Sequence, residues 1–171
     1  MSNNAPVFVR TASARDIGTI RALLLETWHD TYDAIYGADR VTAITEEWHS
    51  TEALADRLNR PNSEFLVADD GEEIAGMAFA SAADEGKTVL LHQLYVKPGR
   101  QGQGIGGLLL DEIEGCFPDA DKVRLEVEEQ NSRAVRFYLS QGFARAGATQ
   151  DCGAKQSGIP AAIYERPVVW M

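Results

Sequence analysis

The chain has 171 residues, 44% of them hydrophobic and 25% charged, with a formal net charge of −10. That length buries the core of one domain, and the composition is ordinary for a globular protein. The acidity argues against a general nucleic-acid binder, no apolar run reaches the length of a membrane span, and the N-terminus lacks a leader pattern. Residues 1–6 read as a disordered tail and residues 7–171 as a single domain. Residues 7–10 alternate weakly and predict a first strand. Ser13 and Asp16 form an N-terminal helix signal, and Ile17, Ile20, Leu24 and Trp28 follow at helical spacing. Residues 36–39 break that helix. A second helix is expected over residues 45–59, stopped by Pro61.

After Pro61 the pattern changes to strands. Residues 65–68, 74–83 and 88–96 read as three strands joined by the turns 69–72 and 84–87, an antiparallel meander. Gly76 marks a bulge or a close approach. A glycine-rich turn then opens a helix that ends near Gly115, with Ile105, Leu108, Leu109 and Ile113 on one face. Residues 122–128 alternate as the next strand, and a strand–helix–strand connection implies a parallel neighbour. Asn131 and Ser132 cap a helix over residues 133–141, ended by Gly142. Residues 143–151 and 163–168 complete an α+β order around one mixed sheet flanked by helices. Cys116 and Cys152 lie in no CxxC and near no His. They argue against a disulfide framework or a zinc site, so no metal is expected, and they fit a reducing cytoplasm.

The chemistry concentrates at Gln101-Gly102-Gln103-Gly104-Ile105-Gly106-Gly107. Glycines at a helix start leave backbone N–H groups uncovered, and a helix N-terminus attracts anions. The run matches GxGxxG, and Glu126 lies where a dinucleotide fold places its ribose carboxylate. Against that, residues 97–101 separate the strand end from the glycines, where a dinucleotide turn is tight. A meander also precedes the motif in place of an opening βαβ unit.

Gln101-x-x-Gly104-x-Gly106 resembles the Q/R-x-x-G-x-G/A signature of the GNAT acetyltransferase superfamily. Leu94-Tyr95-Val96-Lys97-Pro98 stands where that family ends its motif strand. Asn131, Ala134, Phe137-Tyr138 and Gly142-Phe143 match its second motif. The resemblance implies a GNAT fold whose sheet splays at the acetyl-CoA site, and transfer of acetyl to an amine. Backbone N–H groups from Gln101 through Gly102, Gln103, Gly104 and Ile105 to Gly106 suit the pyrophosphate of coenzyme A, because glycine removes the Cβ atoms that block close approach. Gln101 replaces the commoner Arg, and Arg100 either supplies the missing charge or is a solvated loop residue.

The resemblance further implies that the pantetheine arm pairs with backbone near Leu94, Tyr95 and Val96, whose N–H also stabilises the developing oxyanion. The side chains of Leu94 and Val96 read as core. Tyr138 takes the place of the family's general acid, against a packing role beside Phe137 and Phe143. The resemblance implies that Asn131 combines helix capping with a hydrogen bond to the arm, although capping alone also explains it. No base is evident from the motif. His92 is the best side-chain candidate, beside Glu126, Glu128 and ordered water.

On the acceptor side the family resemblance points to residues 27–36 and 152–161. Trp28 and Tyr32, one helical turn apart, either pack around an aliphatic amine, with Asp30 or Asp33 pairing with its charge, or leave Trp28 in the core and the Asp residues solvated. The reading is an N-acetyltransferase acting on a small molecule or polyamine by direct attack in a ternary complex. A peptide acetyltransferase and a non-catalytic CoA-binding module remain as alternatives. The expected partners are an amine acceptor, with no nucleic acid and no membrane, and the oligomeric state is open, a homodimer included.

Overall fold

Ser13 N–H and Oγ both donate to Asp16 Oδ2, at 2.8 and 3.1 Å, and Arg10 pairs with the same oxygen at 2.8 Å. This box ties strand β1 (Phe8–Thr11) to helix α1 (Ile17–Tyr36). The computed structural model describes residues 5–150 and 159–168. Residues 1–4 of the expected tail and residues 152–158 of the expected acceptor wall lie outside them. Among the described residues no helix is long and apolar enough to cross a membrane.

Two helices stand where one was expected over residues 45–59. They are α2 (Ala38–Trp48) and α3 (Thr51–Leu58), parted at His49 and Ser50. Ser50 Oγ accepts from Ala53 N–H at 3.1 Å, a cap that restarts the helix. The remaining elements are β2 (Ser63–Asp69), β3 (Ile74–Ala83), β4 (Thr88–Val96), α4 (Ile105–Gly115), β5 (Lys122–Val127), α5 (Ser132–Ser140), β6 (Ala144–Thr149) and β7 (Ala161–Pro167). The described strands form a mixed seven-stranded sheet in the order β1-β2-β3-β4-β5-β7-β6. β4 and β5 are parallel, as the strand–helix–strand reading requires, with Leu91 opposite Leu125 as their last pair.

The chain groups into two compact units, Met1–Phe79 with Gln93–Ile113, and Ala80–His92 with Glu114–Met171. In the first, Ile20, Leu23 and Leu24 of α1 pack with Leu54 of α3 and with Phe65, Val67, Met77 and Phe79 of the sheet. A second cluster joins Trp28, Tyr32 and Val41, and the Tyr95 ring packs against both clusters. Strand alternation then turns Leu94 and Val96 to the opposite face, where they are half-buried and not the core residues expected. On α4 the buried positions are Ile105, Leu109, Leu110 and Ile113, while Leu108 is 36% exposed and leaves the predicted stripe. In the second unit Val89, Leu91, Val123, Leu125 and Val127 are buried.

Gly76 is a close approach. A Cβ there would lie 2.9 Å from the Tyr95 carbonyl oxygen, 3.1 Å from Leu109 Cδ1 and 3.3 Å from Ile105 Cγ2. The first contact is with backbone, which cannot swing aside. Gly76→Ala is therefore expected to cost about 1–3 kcal/mol of stability, the usual penalty of overpacking, measured by urea denaturation. A neutral result would show that β4 can shift at Tyr95.

Candidate active site

β4 ends in a turn that the chain closes on itself. Lys97 N–H donates to the Ala75 carbonyl at 2.8 Å, and Arg100 N–H to the Lys97 carbonyl at 2.9 Å. Gly102 and Gly104 follow with φ of 80° and 81°, left-handed values that strain any residue with a Cβ, and no atom lies within 4 Å of where that Cβ would stand. Leu108 N–H donates to the Gly104 carbonyl at 3.0 Å. The N–H groups of Ile105, Gly106 and Gly107 thus precede the first intrahelical donor, at the positive end of the α4 dipole. A diphosphate fits this arrangement, because the donors are backbone and the space beside them is open.

The two cations nearest the turn are already paired. Arg100 is 2% exposed and neither reaches solvent nor offers a spare charge, which corrects both readings of it. Its guanidinium donates to Asp70 Oδ2 at 2.9 Å, to Gln103 Oε1 at 3.1 Å and to the Ala5 carbonyl at 2.8 Å. Ala5, expected in the tail, is held by this bond. Backbone N–H groups of Glu73 and Glu72, and then Arg100, hold the Asp70 carboxyl below the usual range. Lys97 Nζ pairs with Glu73 at 2.6 Å. Gln101 Nε2 donates to the Val96 carbonyl at 3.3 Å, tying the turn to the strand end.

In the second unit Asn131 Oδ1 accepts from Ala134 N–H at 3.2 Å, the expected cap of α5. Tyr138 is 8% exposed, its ring centroid 5.2 Å from Phe137 and 5.5 Å from Phe143. Phe143 N–H donates to the Tyr138 carbonyl at 3.0 Å, so the chain after α5 is fastened at this residue. His92 is exposed on β4, and its Nε2 lies 2.7 Å from Ser81 Oγ. The sequence reading missed Ser81, although a hydroxyl stands out in the Ala-rich strand β3.

On the acceptor side Trp28 and Tyr32 are buried, with ring centroids 4.6 Å apart and ring planes tilted by 39°. Asp33, expected to meet the substrate's charge, lies 2.6 Å from His29 Nδ1. Trp28 Nε1 and Gln93 Oε1 are buried with no hydrogen-bond partner among the described residues. Another face of α1 borders a cleft of about 350 Å³ with Arg21, His29, Thr42, Glu46 and His49 in its lining. Neither Trp28 nor Tyr32 belongs to that lining.

The sequence profile of the acetyltransferase (GNAT) family matches residues 21–143. The spermidine N(1)-acetyltransferase of Thermoplasma acidophilum is 30% identical over 141 residues, which cover 79% of this chain and 86% of that protein. The N-alpha-acetyltransferase RimI of Mycobacterium tuberculosis is 34% identical over 94 residues, 53% of this chain and 58% of its own. Among solved structures, the PaiA N-acetyltransferase from Thermoplasma acidophilum, in complex with coenzyme A, aligns with a TM-score of 0.82 at 26% identity. That alignment covers 98% of this chain and 100% of the other.

His49 supplies a pH signature. Burial first, and then the charge of Arg57, push its pKa down from 6.5 to about 3. Arg57 Nη1 donates to His49 Nδ1 at 3.2 Å, so the ring is neutral with its proton on Nε2. A depressed histidine contributes stability that is complete above pH 6.5 and is lost as the pH falls towards 3. Urea denaturation between pH 6.5 and 4 is expected to show this loss in the wild type and a flatter dependence in His49→Gln. Equal slopes would mean that another group carries it.

Proposed function

The chain belongs to the GNAT acetyltransferase family, and from that premise we propose that it acetylates a primary amine on a small molecule, a polyamine foremost, using acetyl-CoA. The observation that carries the proposal is the turn from Gln101 to Gly106, with its backbone donors at a helix N-terminus and open space where Cβ atoms would stand. Acetyl-CoA, when bound, supplies an acetyl group activated as a thioester. Residues 101–106 hold its pyrophosphate by backbone N–H groups, since Arg100 and Lys97 are neutralised by Asp70 and Glu73. Leu94, Tyr95 and Val96 offer the backbone edge for the pantetheine arm and an N–H for the developing oxyanion. Asn131 adds a hydrogen bond to the arm. Tyr138 holds the proton that the leaving sulfur requires, and His92 accepts one from the amine.

Two features support a cationic small acceptor. The net charge of −10 draws cations by its long-range field. Gln93 Oε1 is a buried acceptor of the kind an ammonium satisfies. The spermidine acetyltransferase relative supports the same class, with Trp28 and Tyr32 packing on the aliphatic part. A second reading, N-terminal acetylation of a peptide, is favoured by the likeness to RimI. A screen of polyamines, other small amines and peptides separates the two, and turnover confined to peptides would reject the small-amine proposal.

Acetyl-CoA at about 100 times its Kd is expected to stabilise the fold by about 2.7 kcal/mol. Absence of both a Tm shift and binding heat would sink the cofactor assignment, and a response to NAD instead would point to a dinucleotide site. Tyr138→Phe is expected to lower kcat by about 100-fold or more with coenzyme A affinity retained, as for loss of a general acid. An unchanged kcat would leave Tyr138 a packing residue only.

A further inference from the structure

Ser81 and His92 lie on β3 and β4 within the second unit, with Ser81 Oγ 2.7 Å from His92 Nε2. Ser81 is 3% exposed, whereas His92 is exposed. Ser81 is also the one polar side chain in Ile74–Ala83, a strand otherwise of Ala, Gly, Ile, Met and Phe. A buried hydroxyl costs free energy unless it is hydrogen-bonded, so this serine is best accommodated with the imidazole against it. The contact also has a direction. A group fixed inside the fold holds one ring nitrogen of a histidine whose remainder faces outward, which sets the ring orientation, and the hydroxyl's choice between accepting from Nε2–H and donating to Nε2 selects the tautomer.

We infer that Ser81 is a positioning residue for acetyl transfer, accepting a hydrogen bond from His92 Nε2–H and so presenting Nδ1 as the proton acceptor. The inference rests on the reading of His92 as the base. With Nε2–H donated to Ser81 Oγ, the lone pair of the neutral ring resides on Nδ1. One proton passes from the substrate ammonium to Nδ1, and the electron pair of that N–H bond stays on the substrate nitrogen as the nucleophile's lone pair. The resulting imidazolium keeps its Nε2–H bond to Ser81, and the Nδ1 proton then leaves to water. Ser81 loses and gains no proton. Its bond is stronger to the imidazolium than to the neutral ring, because a charged donor makes the stronger hydrogen bond.

The charged groups of the neighbouring strands are few. One step past the Leu91 and Leu125 pair stand His92 and Glu126, and one step before it Leu90 lies opposite Arg124. Arg124 pairs with Glu165 of β7 at 3.4 Å. β3 brings no titratable side chain, and β4 has Tyr95 besides His92. Glu126 is therefore the adjoining carboxylate whose charge must be held constant while Ser81 is varied.

Ring-¹⁵N spectra of His92 across pH, together with pH–rate profiles, test the inference in full-length wild type, Ser81→Ala and His92→Gln. The wild type is expected to show the Nε2–H tautomer. In Ser81→Ala that preference weakens, the His92 titration and the acid limb of kcat/KM move together to lower pH, and kcat falls about 2- to 10-fold, as for loss of one hydrogen bond. A merely structural serine would move neither the tautomer nor the acid limb. His92→Gln separates the two ideas. If it keeps the wild-type acid limb and kcat, the base lies elsewhere and the inference falls with that reading. If it removes the limb while Ser81→Ala leaves ring spectrum and limb unchanged, the positioning role alone is overturned.

Discussion

The guanidinium of Arg100 joins three stretches of chain that are far apart in sequence: the Ala5 carbonyl, the Asp70 carboxylate in the turn before β3, and the Gln103 side chain in the glycine turn. A buried cation is tolerable only when it is paired and its donors are used. Asp70 meets that condition because Glu72 and Glu73 N–H groups keep it ionised, at 2.8 and 2.7 Å. The glycine turn is thereby anchored from beneath. Its outward donors hold their places without side-chain bulk, which is what close contact with an anion requires.

This anchoring has an electrostatic consequence. With Arg100 and Lys97 neutralised, the turn presents aligned N–H dipoles on a chain of net charge −10. Dipoles act over a few ångströms and net charge acts over many. A strongly acidic protein can hold a diphosphate locally while its long-range field gathers cations. The two proposed ligands have opposite charge, and the separation of ranges lets one molecule serve both.

In the second unit aromatic packing has the corresponding role. Tyr138 sits between Phe137 and Phe143, and the Arg166 guanidinium lies 5.0 Å from the Phe143 ring centroid with its Nε on Glu114 at 2.9 Å. The end of α5 and the chain after it are therefore braced by rings and by the Arg166–Glu114 ion pair. The packing role and the proposed chemical role of Tyr138 are compatible, since the first holds the ring that the second would use. His92 is braced differently, against the buried hydroxyl of Ser81.

Periodicity and punctuation in the sequence determined the seven described strands, the parallel β4–β5 pair, the glycine turn before α4 and the Asn131 cap. Each element depends on residues close together in the chain, and the resemblance of two motifs pointed to the family. The split between α2 and α3 was also local, since Ser50 is a cap signal, but the apolar positions around it read through as one helix. What the sequence left undecided depended on distant partners. Arg100 looked like a phosphate ligand or a solvated residue until Asp70 and Ala5 were brought to it. Asp33 looked available to a substrate until His29 took it, and Leu94 and Val96 looked buried until Tyr95 fixed the alternation of β4. Ser81 had no meaning before His92 lay 2.7 Å away. Residue spacing encodes hydrogen bonds along one helix or turn, whereas the pairing of charges and the environment of a base arise only when strands from different parts of the chain lie side by side.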